Sequence, residues 1–152
     1  MSVSGADTLI GGQGYDKYII DDALDTVIEN QNGGYDDIES SVSYTLSANV
    51  EGLTLTGSDD LTGTGNELDN VIVGNSGNNV IDGMAGDDEL QGGDGNDTLR
   101  GGGTEAEQGS DKLFGGLGDD LLIGGTTSSN YLVGEEGNDQ LVGQGRSLLM
   151  LT

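Results

Sequence analysis

The sequence predicts an all-β chain assembled from short strands joined by glycine-rich turns. Three observations predict it. A cluster of glycines returns every nine residues, a single apolar residue follows each acidic turn at a constant offset, and none of the 152 residues is proline. A helix could not carry the 30 glycines at this density, because each one costs about 1 kcal/mol relative to alanine. Strand ladders do need every backbone N–H, which the absence of proline leaves available. Collagen is excluded, since the glycines do not fall at every third position.

Composition narrows the function. Asp and Glu number 28 against 4 Lys and Arg, for a formal net charge of −24. Such a chain repels itself and resists compaction. Nucleic acid is excluded as a partner because phosphate binding needs basic surface. Anionic membrane is disfavoured on the same ground, and no apolar run approaches the 18 residues of a spanning helix. No signal peptide is visible at the N-terminus. Hydrophobic residues make up 32% and aromatics 4%, too few for a thick core and close to the disordered class. Without cysteine or histidine, thiolate and imidazole ligands are unavailable. A hard cation is the natural counterpart of this charge.

The stretch "GGDGNDTLR" (92–100) shows the unit in full, and five others align with it: "GGQGYDKYI" (11–19), "GNSGNNVID" (74–82), "GMAGDDELQ" (83–91), "GGLGDDLLI" (115–123) and "GEEGNDQLV" (134–142). Their template is Gly-Gly-x-Gly-x-Asp-x-apolar-x. The apolar position runs through Leu9, Tyr18, Ile72, Ile81, Leu90, Leu99, Leu113, Leu122, Leu132, Leu141 and Met150. "IDDALDTVI" keeps Asp25 and Val27, and "QNGGYDDIE" keeps Gly34, Asp36 and Ile38. Between the arrays, 40–64 reads as alternating strands, with Leu53 and Leu61 continuing the ladder as irregular coils. "GTEAEQ" (103–108) and "TTSSN" (126–130) are expected to bulge outward as loops.

These residues resemble the haemolysin-type calcium-binding nonapeptide repeats of the RTX (repeats-in-toxin) family. A lone GxGxD would be a weak signal; six well-formed copies make the match specific. The resemblance implies one right-handed parallel β-roll (a β-solenoid) over 1–152, with calcium bound in the glycine-rich turns. Within it 2–39 are N-terminal repeats, 40–64 irregular coils, 65–142 regular repeats and 143–152 a degenerate end. In such a roll two nonapeptides make one turn, so alternate repeats stack on the same edge. Strands of one sheet lie about 4.8 Å apart, so stacked aspartates repel unless a cation sits between them.

The family takes carbonyl ligands from motif positions two and four and a carboxylate from position six. Carried over, this implies Gly12, Gly14 and Asp16; Met84, Gly86 and Asp88; Gly93, Gly95 and Asp97; and Gly116, Gly118 and Asp120. Gly109 with Asp111 and Gly137 with Asp139 also match. Bridged pairs are expected at Asp88–Asp111, Asp97–Asp120 and Asp120–Asp139, with a further site at Asp7 and Asp25. Gly77 with Asn79, and Asn130 opposite Asp111, should be weaker because an amide brings no charge; a full site at Asn70 is not expected. Asp87, Asp94 and Asp119, at positions three and five, are expected to be solvated or outside the direct ligand set. All-oxygen ligation selects Ca²⁺ over Mg²⁺, with about four to seven ions in all.

Other chemistry is not expected. "DGND" (94–97) begins like an EF-hand loop but places Leu99 where that loop needs glycine, and no glycine loop runs into Lys-Ser or Lys-Thr. "NDT" (96–98) is a glycosylation sequon by pattern only. Carboxylate pairs abound, but nothing supplies a glycosidase cleft. The expectation is therefore a non-enzymatic, monomeric calcium-binding module of a secreted bacterial protein, exported by a one-step secretion system and folding outside. The alternatives are an adhesin or carbohydrate-binding accessory module contacting a glycan or cell surface, or a fragment of a secreted hydrolase, epimerase or toxin. Against acidic polysaccharide stands the scatter of Lys17, Arg100, Lys112 and Arg146.

Overall fold

The computed structural model describes residues 5–102, 109–125, 129–143 and 146–151. Within them every regular element is a strand and every strand pairing is parallel. Eight strands form one sheet, in order along the stack: β2 (Lys17–Ile20), β4 (Asp37–Ser40), β6 (Gly52–Leu55), β8 (Val71–Val73), β10 (Glu89–Asp94), β12 (Lys112–Leu117), β14 (Tyr131–Glu136) and β16 (Leu148–Met150). The facing sheet has six: β5 (Tyr44–Thr45), β7 (Thr62–Thr64), β9 (Val80–Asp82), β11 (Thr98–Arg100), β13 (Leu121–Ile123) and β15 (Gln140–Val142). β1 (Thr8–Ile10) and β3 (Thr26–Ile28) pair separately. The chain alternates between sheets at each turn. This is the all-β parallel roll that the repeat implies.

The strands are short because only the apolar position and its two neighbours are free of turn chemistry. The apolar residue points inward and meets its equivalent one coil on: Ile72 with Leu90, Leu90 with Leu113, Leu113 with Leu132 on one side, and Ile81 with Leu99, Leu99 with Leu122 on the other. All of these are fully buried. The core is thus one side chain thick from each sheet. Register survives the insertion at 103–108, which lies outside the described residues, as do 126–128 and with them the expected bulges.

Residues 40–64 supply β5, β6 and β7 to the same two sheets. Two ladder assignments need correction there and at the end. In β7 the inward position is Gly63, paired with Tyr44 and Ile81, while Leu61 precedes the strand and packs only partly buried. Gly63 is small because Leu53, Leu55 and Ile72 already fill the space where its side chain would lie. In β16 Leu149, one residue before Met150, pairs with Leu132. Leu148, Leu149 and Met150 are all exposed, since no described coil covers them.

A core this thin has no slack. Leu99→Ala is expected to lower the unfolding free energy in excess calcium by about 2–5 kcal/mol. Ile19→Ala, on the outer face of β2, should change it by less than about 0.5 kcal/mol. Urea denaturation followed by circular dichroism would distinguish the two.

Candidate metal centre

The turns between sheets stack into two edges. One edge carries the turns entering β2, β4, β8, β10, β12 and β14; the other carries those entering β9, β11, β13 and β15. Because each coil repeats the template, the acidic residue at position six recurs at the same height in every turn. Its backbone N–H donates to the side-chain oxygen of the position-six residue one coil further on. On the second edge Asn79 donates to Asp97 Oδ1 at 2.6 Å, Asp97 to Asp120 at 2.7 Å and Asp120 to Asp139 at 3.0 Å. On the first, Asn70 donates to Asp88 at 2.8 Å, Asp88 to Asp111 at 3.2 Å and Asp111 to Asn130 at 2.8 Å. Asp7 and Asp25 meet in the same way at 2.8 Å. All the stacked pairs named from the repeat are therefore brought together.

Five of the carboxylates use one oxygen in this ladder and leave the other, whereas Asp25 Oδ2 accepts from the N–H groups of Asp21 and Asp22. The Oδ2 atoms of Asp36, Asp88, Asp97, Asp111 and Asp120 are buried with no hydrogen-bond partner, as is Asn79 Oδ1. A buried carboxylate oxygen without a donor is strongly unfavourable. Loss of hydration pushes the Asp88 carboxyl up to about 8, with Asp111 nearby adding to it, and pushes Asp120 up to about 6. Asp97, Asp111 and Asp36 are raised from the usual carboxylate range, again first by burial. Two ion pairs join described residues, Lys17–Glu39 and Lys112–Glu89, and both are on the outer surface.

The free oxygen lies over the first glycine of its own turn. A Cβ at Gly92 would run into Asp97 Oδ2, one at Gly83 into Asp88 Oδ2, and one at Gly115 into Asp120 Oδ2. Position one is thus glycine to make room for the carboxylate. Positions two and four have a different reason: Gly93 and Gly95 take φ of 109° and 110°, a conformation that residues with a side chain rarely adopt. Their carbonyls point along the stack, Gly93 O toward Gly116 and Gly95 O toward Gly118, and Gly118 O in turn toward Gly137. Gly86 O points likewise toward Gly109 and Gly14 O toward Gly34, while Gly12 and Met84 share the positive φ of position two. Carbonyl and carboxylate oxygens therefore line both edges, and no sulfur or nitrogen ligand competes.

Where the template has asparagine the arrangement differs. Asn79 Nδ2 donates to Gly77 O at 2.7 Å, and Asn130 Nδ2 to Gly125 O at 3.1 Å. Asn70 Nδ2 reaches Val50 O and Glu51 O at 3.2 and 3.3 Å. An amide NH₂ stands among the turn carbonyls at these positions and satisfies them internally.

A second ladder escaped the sequence reading. Position-five side chains accept from the N–H of the next coil: Asp87 from Ser110, Asn96 from Asp119, and Asp119 from Asn138, each at 2.8 Å. Asp87 and Asp119 are exposed but bond coil to coil, and the bonds from Asn138 hold Asp119 below the usual carboxylate range. The recurrence of Asp or Asn at position five was the available signal. Asp94, at position three, is exposed.

Near the N-terminus Asp16, Glu29 and Asp36 gather on the first edge. Asp16 was expected; Glu29 was not, because it stands outside the nine-residue template.

Comparison with known proteins accords with this geometry. The RTX calcium-binding nonapeptide repeat matches in four copies, over residues 3–18, 64–99, 105–128 and 124–145, more than half of the chain. The chain belongs to the RTX repeat family. Over 65 residues it is 45% identical to the endo-1,3-1,4-beta-glycanase ExsH of Rhizobium meliloti (strain 1021). The matched stretch covers 43% of this chain and only 14% of the glycanase. No solved structure matches the chain.

Two outcomes are expected. Gly92→Ala should raise the calcium concentration at the folding midpoint, because its Cβ displaces Asp97, whereas Asp94→Ala should leave that midpoint unchanged; calcium titration followed by circular dichroism measures both. The second concerns pH. The raised carboxyls bind more protons folded than unfolded, so without calcium stability falls as pH rises above the ordinary carboxylate range, up to about 6 for Asp120 and about 8 for Asp88. In EGTA the chain should therefore gain β-structure on acidification across that window, while in calcium protons compete with the ion and the midpoint shifts upward.

Proposed function

We propose that this chain is a calcium-responsive folding module of a secreted bacterial protein, disordered when calcium is scarce and folded into the roll when ions enter its turns. The observation that carries the reading is the row of buried carboxylate oxygens that lack a partner. A hard divalent cation between stacked turns supplies what every one of them is missing, and six or so oxygen ligands favour Ca²⁺. On this reading Asp88 with Asp111, Asp97 with Asp120 and Asp120 with Asp139 are the principal carboxylate pairs. Carbonyls of Met84, Gly86, Gly93, Gly95, Gly109, Gly116, Gly118 and Gly137 complete the sets, and Gly12, Gly14 and Asp16, with Asp7 and Asp25, serve the N-terminal coils. The amides of Asn79 and Asn130 make weaker sites or substitute for the ion.

The charge of −24 then has a use. It keeps the metal-free chain expanded, which suits export in an unfolded state, and binding energy becomes folding energy at the calcium levels found outside the cell. The match to a segment of a glycanase favours one elaboration: the chain acts as a non-catalytic repeat segment beside a polysaccharide-degrading domain. Acidic sugar polymers are unsuitable direct ligands for so negative a surface.

The test is circular dichroism of the full chain in EGTA and in millimolar calcium. Loss of the β signal in EGTA, restored by calcium and not by magnesium at the same concentration, is the expected result. A fully folded chain in EGTA at neutral pH overturns the reading.

A further inference from the structure

The turn between β3 and β4 departs from the repeat. Tyr18 pairs with Ile38, twenty residues on, whereas Ile72 pairs with Leu90 after eighteen. The extra residues are Glu29 and Asn30, inserted before "QNGGYDDIE". Glu29 folds into the edge, buried to 8% exposure beside Asp36 at 1%. Carboxylate oxygens of Asp16, Glu29 and Asp36 lie within 4.8 Å of one another. Glu29 Oε1, Tyr18 Oη and Asp16 Oδ2 all close over Gly11, where a Cβ has no room. Glu29 Oε2 faces Gly33 together with the carbonyl oxygens of Gly12 and Asn30.

The donors to this cluster are few. Tyr18 donates to Glu29 Oε1, Asn30 N–H to Glu29 Oε2 at 3.1 Å, and Asp16 N–H to Asp36 Oδ1 at 2.9 Å. Asp36, whose carboxylate belongs to this cluster, has its Oδ2 buried with no partner. Among the described residues no Lys or Arg pairs with any of the three; Lys17 is engaged by Glu39. The cluster thus holds three acids, one phenol, nearby carbonyls and one unmatched buried oxygen. An ion with ligand distances of about 2.3–2.6 Å fits between oxygens so spaced.

We propose that Asp16, Glu29 and Asp36 form a divalent-cation site of their own, with calcium chemistry, that fills before the sites in the regular turns. The proposal rests on the calcium reading above and adds a third carboxylate that the repeat does not supply. Affinity in all-oxygen sites rises with ligand charge and rigidity. Here the charge is greater by one, and the Tyr18 hydroxyl holds Glu29 in place in advance. The first ion would therefore order the N-terminal coils, upon which later coils stack.

Terbium, which takes the same hard oxygen ligands, gives a direct readout when excited through tyrosine. Four of the five tyrosines, Tyr15, Tyr18, Tyr35 and Tyr44, lie in or beside these coils; only Tyr131 stands among the regular repeats. In the full chain, the first equivalent of Tb³⁺ should give most of the sensitised emission. Glu29→Gln should weaken that first phase at least about tenfold, as expected for loss of one ligand charge, and leave later phases in place. Tyr131→Phe should leave the first phase intact. A Glu29→Gln titration that superimposes on the wild type overturns the proposal. So does loss of first-phase emission in Tyr131→Phe, which decides the matter should Glu29→Gln fail to fold in calcium. Wild-type protein that binds no terbium or calcium at all would overturn the calcium reading itself.

Discussion

The structure depends on the burial of stacked carboxylates that have no counter-charge of their own. Two unit charges about 5 Å apart repel by about 3 kcal/mol at an effective dielectric of 20. One fully buried leucine contributes about 1.5–3 kcal/mol. Each coil offers one such residue per strand, so the repulsion along both edges is of the same order as the gain from the core. A thin core and a charged edge so matched set two effects of similar size against each other.

Two kinds of neutralisation are visible in one chain. At Asn70, Asn79 and Asn130 a side-chain amide points its NH₂ at turn carbonyls and satisfies them permanently. At Asp88, Asp97, Asp111 and Asp120 nothing does so, and the second oxygen is stranded. The contrast separates turns that are internally complete from turns that call for an ion. On the first edge Asn70 and Asn130 flank the incomplete turns of Asp88 and Asp111, whereas on the second Asn79 keeps its own Oδ1 without a partner.

Most of the roll was legible because its chemistry is periodic. A nine-residue period fixes which residues face inward, and the position-six acids stack wherever Leu90, Leu99, Leu113 and Leu122 stack. What escaped was aperiodic or depended on neighbours in space. Glu29 belongs to an insertion, so no template position marked it, and its burial follows only once the β3–β4 turn is folded over Gly11. Gly63 takes an inward position because Leu53, Leu55 and Ile72 fill its place from other coils. Leu149 displaces Met150 because the final strand pairs with β14 one residue out of the nine-residue step. The role of Gly92 was half-read: bending explains Gly93 and Gly95, whereas Gly92 yields room to Asp97.

The two side-chain ladders run in opposite senses. A position-six side chain accepts from the coil before it, as Asp120 does from Asp97. A position-five side chain accepts from the coil after it, as Asp119 does from Asn138. The N–H groups at positions five and six are satisfied from neighbouring coils, one on each side, although other turn N–H groups, such as those of Gly77 and Met84, are satisfied within their own coil. Stability must therefore be a sum over neighbouring interfaces, as in other solenoids. An ion placed between two turns orders the donors and acceptors of both, which prepares the next pair of oxygens along the edge. Cooperativity in such a chain needs no long-range signal, because each coil supplies donors and acceptors to the coils beside it.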